Sequence, residues 1–296
     1  KELSRFLVFL RPLGSDFVII GTDPDCDRVG IVVRDADGVY RTLTGNQTGA
    51  LLVEYILRSR KEQDNLPANG VVIKTIVTTE LAAAIAKSYG IEVMNVLTGF
   101  KYIGEKMTEF AEKKNHTYLI GFEESYGYLV GNHARDKDAV VASMLIAEMA
   151  AYYKTKGKSL YEALQDIYKK YGYYAEKTMS YTMPGKDGME RMAAILTGLR
   201  ENPPVSVNGL DVVKTTDYSA QTITDKDGNV SPLTGLPKSN VLRYDLSDGK
   251  SYFIVRPSGT EPKIKLYLGT YADSFDEAMA LIDDIIADCV KQFGLA

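Results

Sequence analysis

The sequence predicts an α/β protein in which a doubly wound α/β region precedes an α+β region. Between residues 71 and 171, strand-like runs alternate with helical patterns of about 10–15 residues, which is typical of a parallel sheet covered by helices. From Tyr174 onward, short strand-like runs separated by Asp-Gly turns indicate a largely antiparallel sheet. The chain has 296 residues, of which 45% are hydrophobic, so it is long enough to bury more than one core.

Composition and charge argue against several classes of function. The formal net charge is −4, the sequence pI is about 5.4, and the basic residues are dispersed, so we expect no nucleic-acid partner. Two cysteines are too few for a disulfide framework, and no signal peptide or apolar run of about 18 residues is present. We therefore predict a cytoplasmic protein without a membrane partner. Its oligomeric state cannot be deduced from the sequence.

The first predicted region covers residues 1–66. It contains the strands "FVII", "GIVV" and "VYRTL" and a helix that starts near Gly49 and ends near Arg60. The polar segment "EQDNLPANG" then marks a boundary, because it carries Pro67 and Gly70.

The second predicted region covers residues 67–173. Strands are expected in "VVIKTIV", "IEVMNV" and "TYLIGF", and helices near 80–89, 101–115, 138–153 and 159–171. The helix with "AVVASMLIAEMAA" is apolar on nearly every face, so we expect it to be buried on most sides.

The third predicted region covers residues 174–296. It starts with the strand "AEKTMSYTM" and the helix "DGMERMAAILTGL", continues with several short strands, and ends in a helix. One apolar stripe of that last helix includes Cys289, which we interpret as a core residue.

Three aspartates follow the first strand in the stretch "GTDPDCDRVG". Side chains two residues apart in an extended chain point to the same side, so Asp23, Asp25 and Asp27 would repel one another unless a cation lies between them. A hard cation such as Mg²⁺ suits these oxygen ligands, whereas an EF-hand is excluded because Arg28 and Arg34 occupy its required Gly and Glu positions. The alternative is a solvated, Asp-rich turn.

A second candidate site is "GFEESYGYLVGNHARDKD", which follows the strand "TYLI". Loops at the carboxyl ends of parallel strands bind ligands, so Glu123, Glu124 and Ser125 are placed to accept hydrogen bonds from a polyhydroxy substrate. His133, Arg135 and Lys137 add cations, and a lysine near a metal or other cations can have its pKa lowered toward a range useful for proton transfer. Alternatively the glutamates are solvated and Asp136 or Asp138 caps the following helix.

A third candidate site is "RPSGTEPKIKLYL". Arg256 ends the strand "YFIV", and Ser258, Gly259 and Thr260 form a turn whose amides and hydroxyls can surround a phosphate beside the guanidinium. The alternative is an ordinary hairpin turn before an alternating strand. Lys101, in the strand-to-helix loop "LTGFK", is a weaker candidate for the same cleft.

In this order, "DPDCDR", "GFEESYGYL" and "RPSGTEP" resemble the loops of the α-D-phosphohexomutase family, especially its larger phosphoglucomutase and phosphopentomutase branch. The resemblance covers the chain from Gly21 to about Leu268. It implies doubly wound, three-layer domains followed by a C-terminal α+β domain like the TATA-binding protein. It further implies that this chain holds the end of the second family domain, the third and the fourth, without the first domain and its phosphate-carrying serine.

The resemblance also implies a role for each loop. Asp23, Asp25 and Asp27 would bind Mg²⁺, Arg28 would neighbour the phosphoserine, and Lys137 would act as general acid and base. The residues implied to contact substrate are Lys101, Glu123, Ser125, His133, Arg135, Arg256, Ser258, Gly259 and Thr260. The implied reaction moves phosphate from the serine to glucose 1-phosphate and back through glucose 1,6-bisphosphate, giving glucose 6-phosphate.

These implications leave alternatives open. The sugar could be mannose or a pentose, and a bisphosphate-synthase role shares the same loops. The chain alone is expected to be inactive without the serine donor, or to act only as a phosphosugar-binding fragment. A metal-dependent phosphatase with an aspartate nucleophile in "DPDCD" is a further hypothesis.

Overall fold

The computed structural model describes residues 17–258 and 262–295. Within these ranges the described residues up to Tyr171 form one compact unit, and those from Gly172 onward form a second. The finer division of the first unit at residue 66 stays a prediction.

The first unit starts with an antiparallel three-stranded sheet and a long helix. Strands β1 (Ile19–Thr22), β2 (Val29–Arg34) and β3 (Tyr40–Thr42) lie in that order, and helix α1 spans Gly45–Glu62. The predicted start near Gly49 is wrong by about one turn because Thr44 and Gln47 form a reciprocal capping box. The Gln47 amide donates to Thr44 Oγ1 at 3.1 Å, and the Thr44 amide donates to Gln47 Oε1 at 2.9 Å.

A four-stranded sheet follows, in the order β5-β4-β6-β7. Strands β4 (Gly70–Thr75), β5 (Glu92–Val96) and β6 (Thr117–Phe122) are parallel, and helices α2 (Glu80–Ser88) and α3 (Lys101–Lys113) connect them. Strand β7 (Tyr128–Val130), which was not predicted, lies within the second candidate segment and pairs antiparallel with β6.

Helices cover both faces of this sheet, which confirms the three-layer prediction. A Cβ at Gly121 would meet Ile103 of α3 at 2.6 Å, whereas a Cβ at Gly49 of α1 would meet the Phe122 ring at 2.1 Å. Because adjacent strand residues point to opposite faces, Gly121 and Phe122 place α3 and α1 on opposite sides.

Helices α4 (Ala139–Thr155) and α5 (Leu160–Tyr171) complete the first unit. The prediction that α4 is buried on most sides is wrong, because Val140 is 67% exposed and Met144 is 58% exposed. Only one face, with Ala142, Ile146 and Met149, is buried, since α4 packs on β7, α1 and α5 from one side.

The second unit is an antiparallel sheet with two helices, as predicted for an α+β region. Its main strand order is β12-β11-β10-β13-β14-β15-β8. The strands are β8 (Tyr173–Thr182), β9 (Ser206–Val207), β10 (Leu210–Asp217), β11 (Thr222–Asp225), β12 (Val230–Pro232), β13 (Leu242–Leu246), β14 (Tyr252–Pro257) and β15 (Lys263–Ala272). The helices are α6 (Gly185–Glu201) and α7 (Phe275–Phe293).

The apolar stripe of α7 packs against this sheet, with Cys289 fully buried in the core as predicted. Burial raises the pKa of the Cys289 thiol to about 12, so this cysteine is a packing residue rather than a nucleophile. Among the helices of the described ranges, none has the length and apolar content that a membrane crossing requires.

Candidate functional site

The aspartate loop between β1 and β2 is a tight turn rather than an extended segment. Asp23 Oδ1 accepts the amides of Asp27 at 3.1 Å and Arg28 at 3.0 Å, and the Asp23 carbonyl accepts the Cys26 amide at 3.1 Å. Cys26 has a φ of 54°, which turns the chain back toward β2. The premise of an extended chain is therefore wrong, although the three side chains still point toward one place.

The three carboxylates converge as predicted. One oxygen each from Asp23, Asp25 and Asp27 lies within 4.8 Å of the others. Asp27 Oδ1 is buried and accepts no hydrogen bond from the described residues. The pKa of Asp23 is lowered, mainly by the hydrogen bond from the Arg28 amide, so that carboxylate is ionised at neutral pH. Convergent carboxylate oxygens with an unpartnered buried atom fit a Mg²⁺ ion.

Lys137 is the cation nearest to this cluster. Its Nζ lies 3.1 Å from Asp27 Oδ2 and 2.9 Å from Asp136 Oδ1, and its side chain is 13% exposed. Burial lowers the pKa of Lys137, but the hydrogen bonds and charges of Asp136 and Asp27 outweigh it, so the pKa is raised overall. This contradicts the expectation of a lowered pKa, because the neighbours of Lys137 are carboxylates.

Arg28 stands at the edge of the cluster. Its Nε lies 3.7 Å from Asp27 Oδ1, and its side chain remains largely exposed. This position leaves the guanidinium available to an incoming anion.

The second candidate loop is fastened to the aspartate loop through the backbone. The Val29 amide donates to the Tyr126 carbonyl at 3.1 Å, and Arg28 forms a β-bridge with Gly127. The Ala139 amide at the start of α4 donates to the Cys26 carbonyl at 3.0 Å. Segments that are about a hundred residues apart in sequence are thereby held in register.

Glu123 is buried in this loop, with 8% of the residue exposed. Its Oε1 accepts the Gly99 amide at 2.9 Å, and its own amide donates to the Gly127 carbonyl at 2.9 Å. Burial raises the pKa of Glu123, with the Gly99 hydrogen bond and Lys137 opposing. The alternative of a solvated carboxylate is therefore wrong for Glu123, and Ser125 beside it is half-buried.

Lys101 lies at the start of α3, next to the loop that contacts Glu123. Its Nζ sits 4.7 Å from the centre of the Tyr102 ring, and the residue is exposed. Gly99 rather than Lys101 makes the direct contact with Glu123.

Asp138 caps helix α4, as the alternative interpretation of this loop expected. Its Oδ1 accepts the amides of Val140 and Val141, and its Oδ2 lies 2.9 Å from His133 Nε2. Arg135 donates to the carbonyls of its own loop at Asn132 and Ala134, both at 2.8 Å. These side chains are fixed by the loop and do not join the carboxylate cluster.

Several residues that pack beside the second candidate loop were not predicted from the sequence. Lys74 at the end of β4 is fully buried, and its Nζ donates to the Thr78 carbonyl at 3.0 Å and to Glu80 at 3.2 Å. Hydroxyls of Thr75 and Thr78 approach Glu124 at 3.4 and 3.5 Å. The polar residues of "KTIVTTE", at the end of a buried strand, could have predicted that these side chains hydrogen-bond one another and the neighbouring loop.

The third candidate loop belongs to the second unit. Arg256 pairs with Lys265 across β14 and β15, and the Ser258 amide donates to the Lys263 carbonyl at 2.7 Å. The predicted alternation holds only in part: Ile264, Leu266 and Leu268 are buried, but Tyr267 between them is buried as well. Gly259 and Thr260 lie outside the described residues, so the phosphate role of this turn stays a prediction.

Two family models match the chain. Residues 44–171 match "phosphoglucomutase/phosphomannomutase, alpha/beta/alpha domain III", and residues 200–288 match the C-terminal domain of the same family. A phosphoglucomutase of Staphylococcus haemolyticus is 38% identical over 260 residues, which is 88% of this chain and 46% of that protein. One of Staphylococcus epidermidis is 39% identical over 270 residues, which is 91% of this chain and 48% of that protein. The chain thus spans about half the length of these curated relatives.

Solved structures show the same fold at lower identity. The open form of parafusin, a Paramecium phosphoglucomutase, matches with a TM-score of 0.61 at 20% identity, covering 93% of this chain and 45% of that one. A phosphoglucomutase/phosphomannomutase family protein from Burkholderia thailandensis matches with a TM-score of 0.57 at 16% identity, covering 98% of this chain and 50% of that one.

Proposed function

The chain belongs to the phosphoglucomutase/phosphomannomutase family, and we propose that it supplies three ligand-binding loops of an enzyme that interconverts glucose 1-phosphate and glucose 6-phosphate. In this proposal the aspartate loop binds the metal, the second candidate loop, called the sugar loop below, binds the sugar, and the third candidate loop binds phosphate. The observation that carries this proposal is the convergence of Asp23, Asp25 and Asp27 beside Lys137. The buried Asp27 Oδ1 accepts no hydrogen bond from the described residues. Such a site binds a hard cation next to a group that can move a proton.

In this proposal the three aspartates hold Mg²⁺, which supplies positive charge that offsets the charge of the transferring phosphoryl group. Arg28 lies at the cluster edge, where it binds phosphate oxygens. Lys137, held by Asp27 and Asp136, donates a proton to or accepts one from the sugar oxygen at which phosphate leaves or arrives.

Glu123 and Ser125 bind the sugar hydroxyls in this proposal. The backbone anchors of Glu123 at Gly99 and Gly127 hold its carboxylate in place before substrate arrives. In the same proposal, Lys101, His133 and Arg135 contact the substrate. Arg256, Ser258, Gly259 and Thr260 bind the phosphate that is not being transferred, so that glucose 1,6-bisphosphate can bind in either of two orientations.

A coupled assay for glucose 6-phosphate formation tests this proposal. Glucose 1-phosphate, Mg²⁺ and a trace of glucose 1,6-bisphosphate are supplied to the 296-residue polypeptide and to a version extended to the length of the curated relatives. We expect turnover only from the extended version. Turnover by the 296-residue polypeptide would contradict a separate serine donor, and activity of the extended version only with mannose or pentose phosphates would reassign the sugar.

A phosphosugar-binding role without turnover is the second candidate, because the Glu123 carboxylate, held by the Gly99 amide, can bind sugar hydroxyls without any phosphoryl transfer. Calorimetric titration with glucose 1-phosphate separates the two. Binding by the 296-residue polypeptide, together with an inactive extended version, favours the binding role. The Asp37→Asn variant, whose side chain lies outside the site, serves as the control for both assays.

A further inference from the structure

A second cavity in the first unit lies away from the carboxylate cluster. Its volume is about 490 Å³, within the range of about 300–1,000 Å³ that is usual for small-molecule sites. Side chains from the C-terminal half of α1, from Tyr89, from the end of α4, from α5, and from the connection between α4 and α5 line it. Gly45 at the start of α1 abuts the Glu124 carbonyl of the sugar loop, so Arg58 lies roughly 20 Å farther along that helix. We call this space the tyrosine cavity, after Tyr89, Tyr152 and Tyr153.

Arg58 has unmet donors in the wall of this cavity. Its Nε and Nη2 are buried and have no hydrogen-bond acceptor among the described residues, although the side chain is 24% exposed overall. Glu62 Oε1 lies 3.8 Å from Nε, which is too long for a hydrogen bond. The guanidinium is stacked near the rings of Tyr152 at 4.8 Å and Tyr153 at 4.9 Å. Tyr153 and Glu62 are thus partners of the guanidinium, but its buried Nε and Nη2 still lack an acceptor among the described residues.

The carboxylates of the cavity are already engaged. Glu54 accepts the hydroxyls of Tyr89 at 3.0 Å and Tyr171 at 2.9 Å, and Asp166 is paired with Lys158. Glu62, the third carboxylate, accepts the Tyr152 hydroxyl and forms an ion pair with Arg58 at 3.8 Å, so it compensates part of the Arg58 charge without giving Nε a hydrogen bond.

Positive charge is in excess around the cavity. Four cationic side chains and three carboxylates line it, and the Lys61 amine lies close by, over the Tyr89 ring. Lys156 forms no ion pair with any carboxylate in residues 17–258 or 262–295, and its amine lies 5.4 Å from the centre of the same Tyr152 ring that Arg58 contacts. Two cations without full partners thus flank one aromatic side chain.

We propose that the tyrosine cavity is a binding site for a small polyvalent oxyanion, held by Arg58 and Lys156. Phosphate and carboxylate groups share the required chemistry, because each presents several acceptor oxygens to the planar donor fork of an arginine. The proposal is independent of the phosphosugar function, since none of these residues belongs to the carboxylate cluster or the sugar loop.

Calorimetry and amide NMR on the 296-residue polypeptide test the proposal, with pyrophosphate and citrate as separate probes in EDTA. We expect saturable binding of at least one probe, with amide shifts at Tyr152, Tyr153 and Lys156. Pyrophosphate alone would identify a phosphate-bearing ligand, and citrate alone a polycarboxylate. Failure of both probes to bind at these residues overturns the proposal.

Variants keep the test independent of folding and of the proposed enzyme function. Lys156→Gln changes an exposed side chain and should weaken binding about tenfold, and Arg58→Gln should weaken it at least as much. Lys154→Gln, two residues before Lys156 at the end of α4 and outside the cavity lining, is the matched control. Arg256→Gln should leave the shifts at Lys156 unchanged. Loss of those shifts in Arg256→Gln, or unchanged affinity in Lys156→Gln, would also overturn the proposal.

Discussion

The carboxylate cluster and the tyrosine cavity are opposite cases of one physical situation. At the cluster, a buried oxygen of Asp27 lacks a donor; in the cavity, two buried nitrogens of Arg58 lack an acceptor. In both places an opposite charge is close but too far for a hydrogen bond: Arg28 Nε lies 3.7 Å from Asp27 Oδ1, and Glu62 Oε1 lies 3.8 Å from Arg58 Nε. Helix α1 extends from the sugar loop to the cavity. The comparison teaches that unmet polar atoms indicate the sign of the missing ligand, which is a cation at one place and an anion at the other.

The largest effect is expected from Asp27→Asn. This change removes one charged ligand of the proposed metal site and the partner of Lys137 while keeping the shape of the side chain. We expect mutase turnover of the extended protein to fall by about 100-fold or more, the scale seen when one group that stabilises transition-state charge is lost. Calorimetry should also show weaker Mg²⁺ binding, with Asp37→Asn behaving as the wild type. Retained Mg²⁺ affinity would show that Asp27 is not a metal ligand. The unpaired Asp27 oxygen would then not indicate a missing cation, and the comparison with Arg58 would fail.

The second effect concerns how Lys137 is held. A Cβ at Gly127 would lie 2.3 Å from Lys137 Cδ, so in Gly127→Ala the Lys137 side chain must move, and we expect its contact with Asp27 to weaken. We expect a loss of about 1–3 kcal/mol in the free energy of unfolding from overpacking, together with reduced turnover. Gly21→Ala is the control, because nothing lies within 4 Å of a Cβ there. Urea unfolding of both variants measures the difference, and equal stabilities would show that Lys137 is not confined as described.

The third effect tests whether the two ends of α1 act separately. Thr44→Ala removes the capping-box acceptor at the sugar-loop end, which typically costs about 1 kcal/mol. We expect lower stability and altered amide shifts near Glu124, but unchanged oxyanion affinity in the tyrosine cavity. A parallel loss of oxyanion affinity would mean that the two sites are coupled through the helix.

The sequence predicted most elements and the places of the three loops, because hydrophobic periodicity and loop chemistry are local signals. The buried stripe of α7 with Cys289 is one example. The start of α1 was also readable, since "TGNQ" is a capping box that the helical periodicity alone does not show. What remained hidden depends on contacts between distant segments. The exposure of Val140, the contact of Lys137 with Asp27, and the meeting of Arg58 with Tyr152 all depend on how segments that are far apart in sequence pack together.

The smallest effect is expected from Glu123→Gln, and its sign depends on pH. Burial raises the pKa of Glu123 above its ordinary value of 4.5, so the wild-type carboxyl contributes stability when protonated, below about pH 4.5, and loses that contribution as pH rises through the raised pKa. The variant does not titrate but keeps an acceptor for the Gly99 amide. We therefore expect Glu123→Gln to gain stability relative to the wild type between acidic and neutral pH, by less than about 1 kcal/mol. Urea unfolding of both proteins at several pH values measures this difference, in which the other titrating groups cancel. A difference that stays constant with pH would show that the Gly99 hydrogen bond fully offsets the effect of burial on the Glu123 carboxylate. Arg58 has no such hydrogen bond at its buried Nε and Nη2.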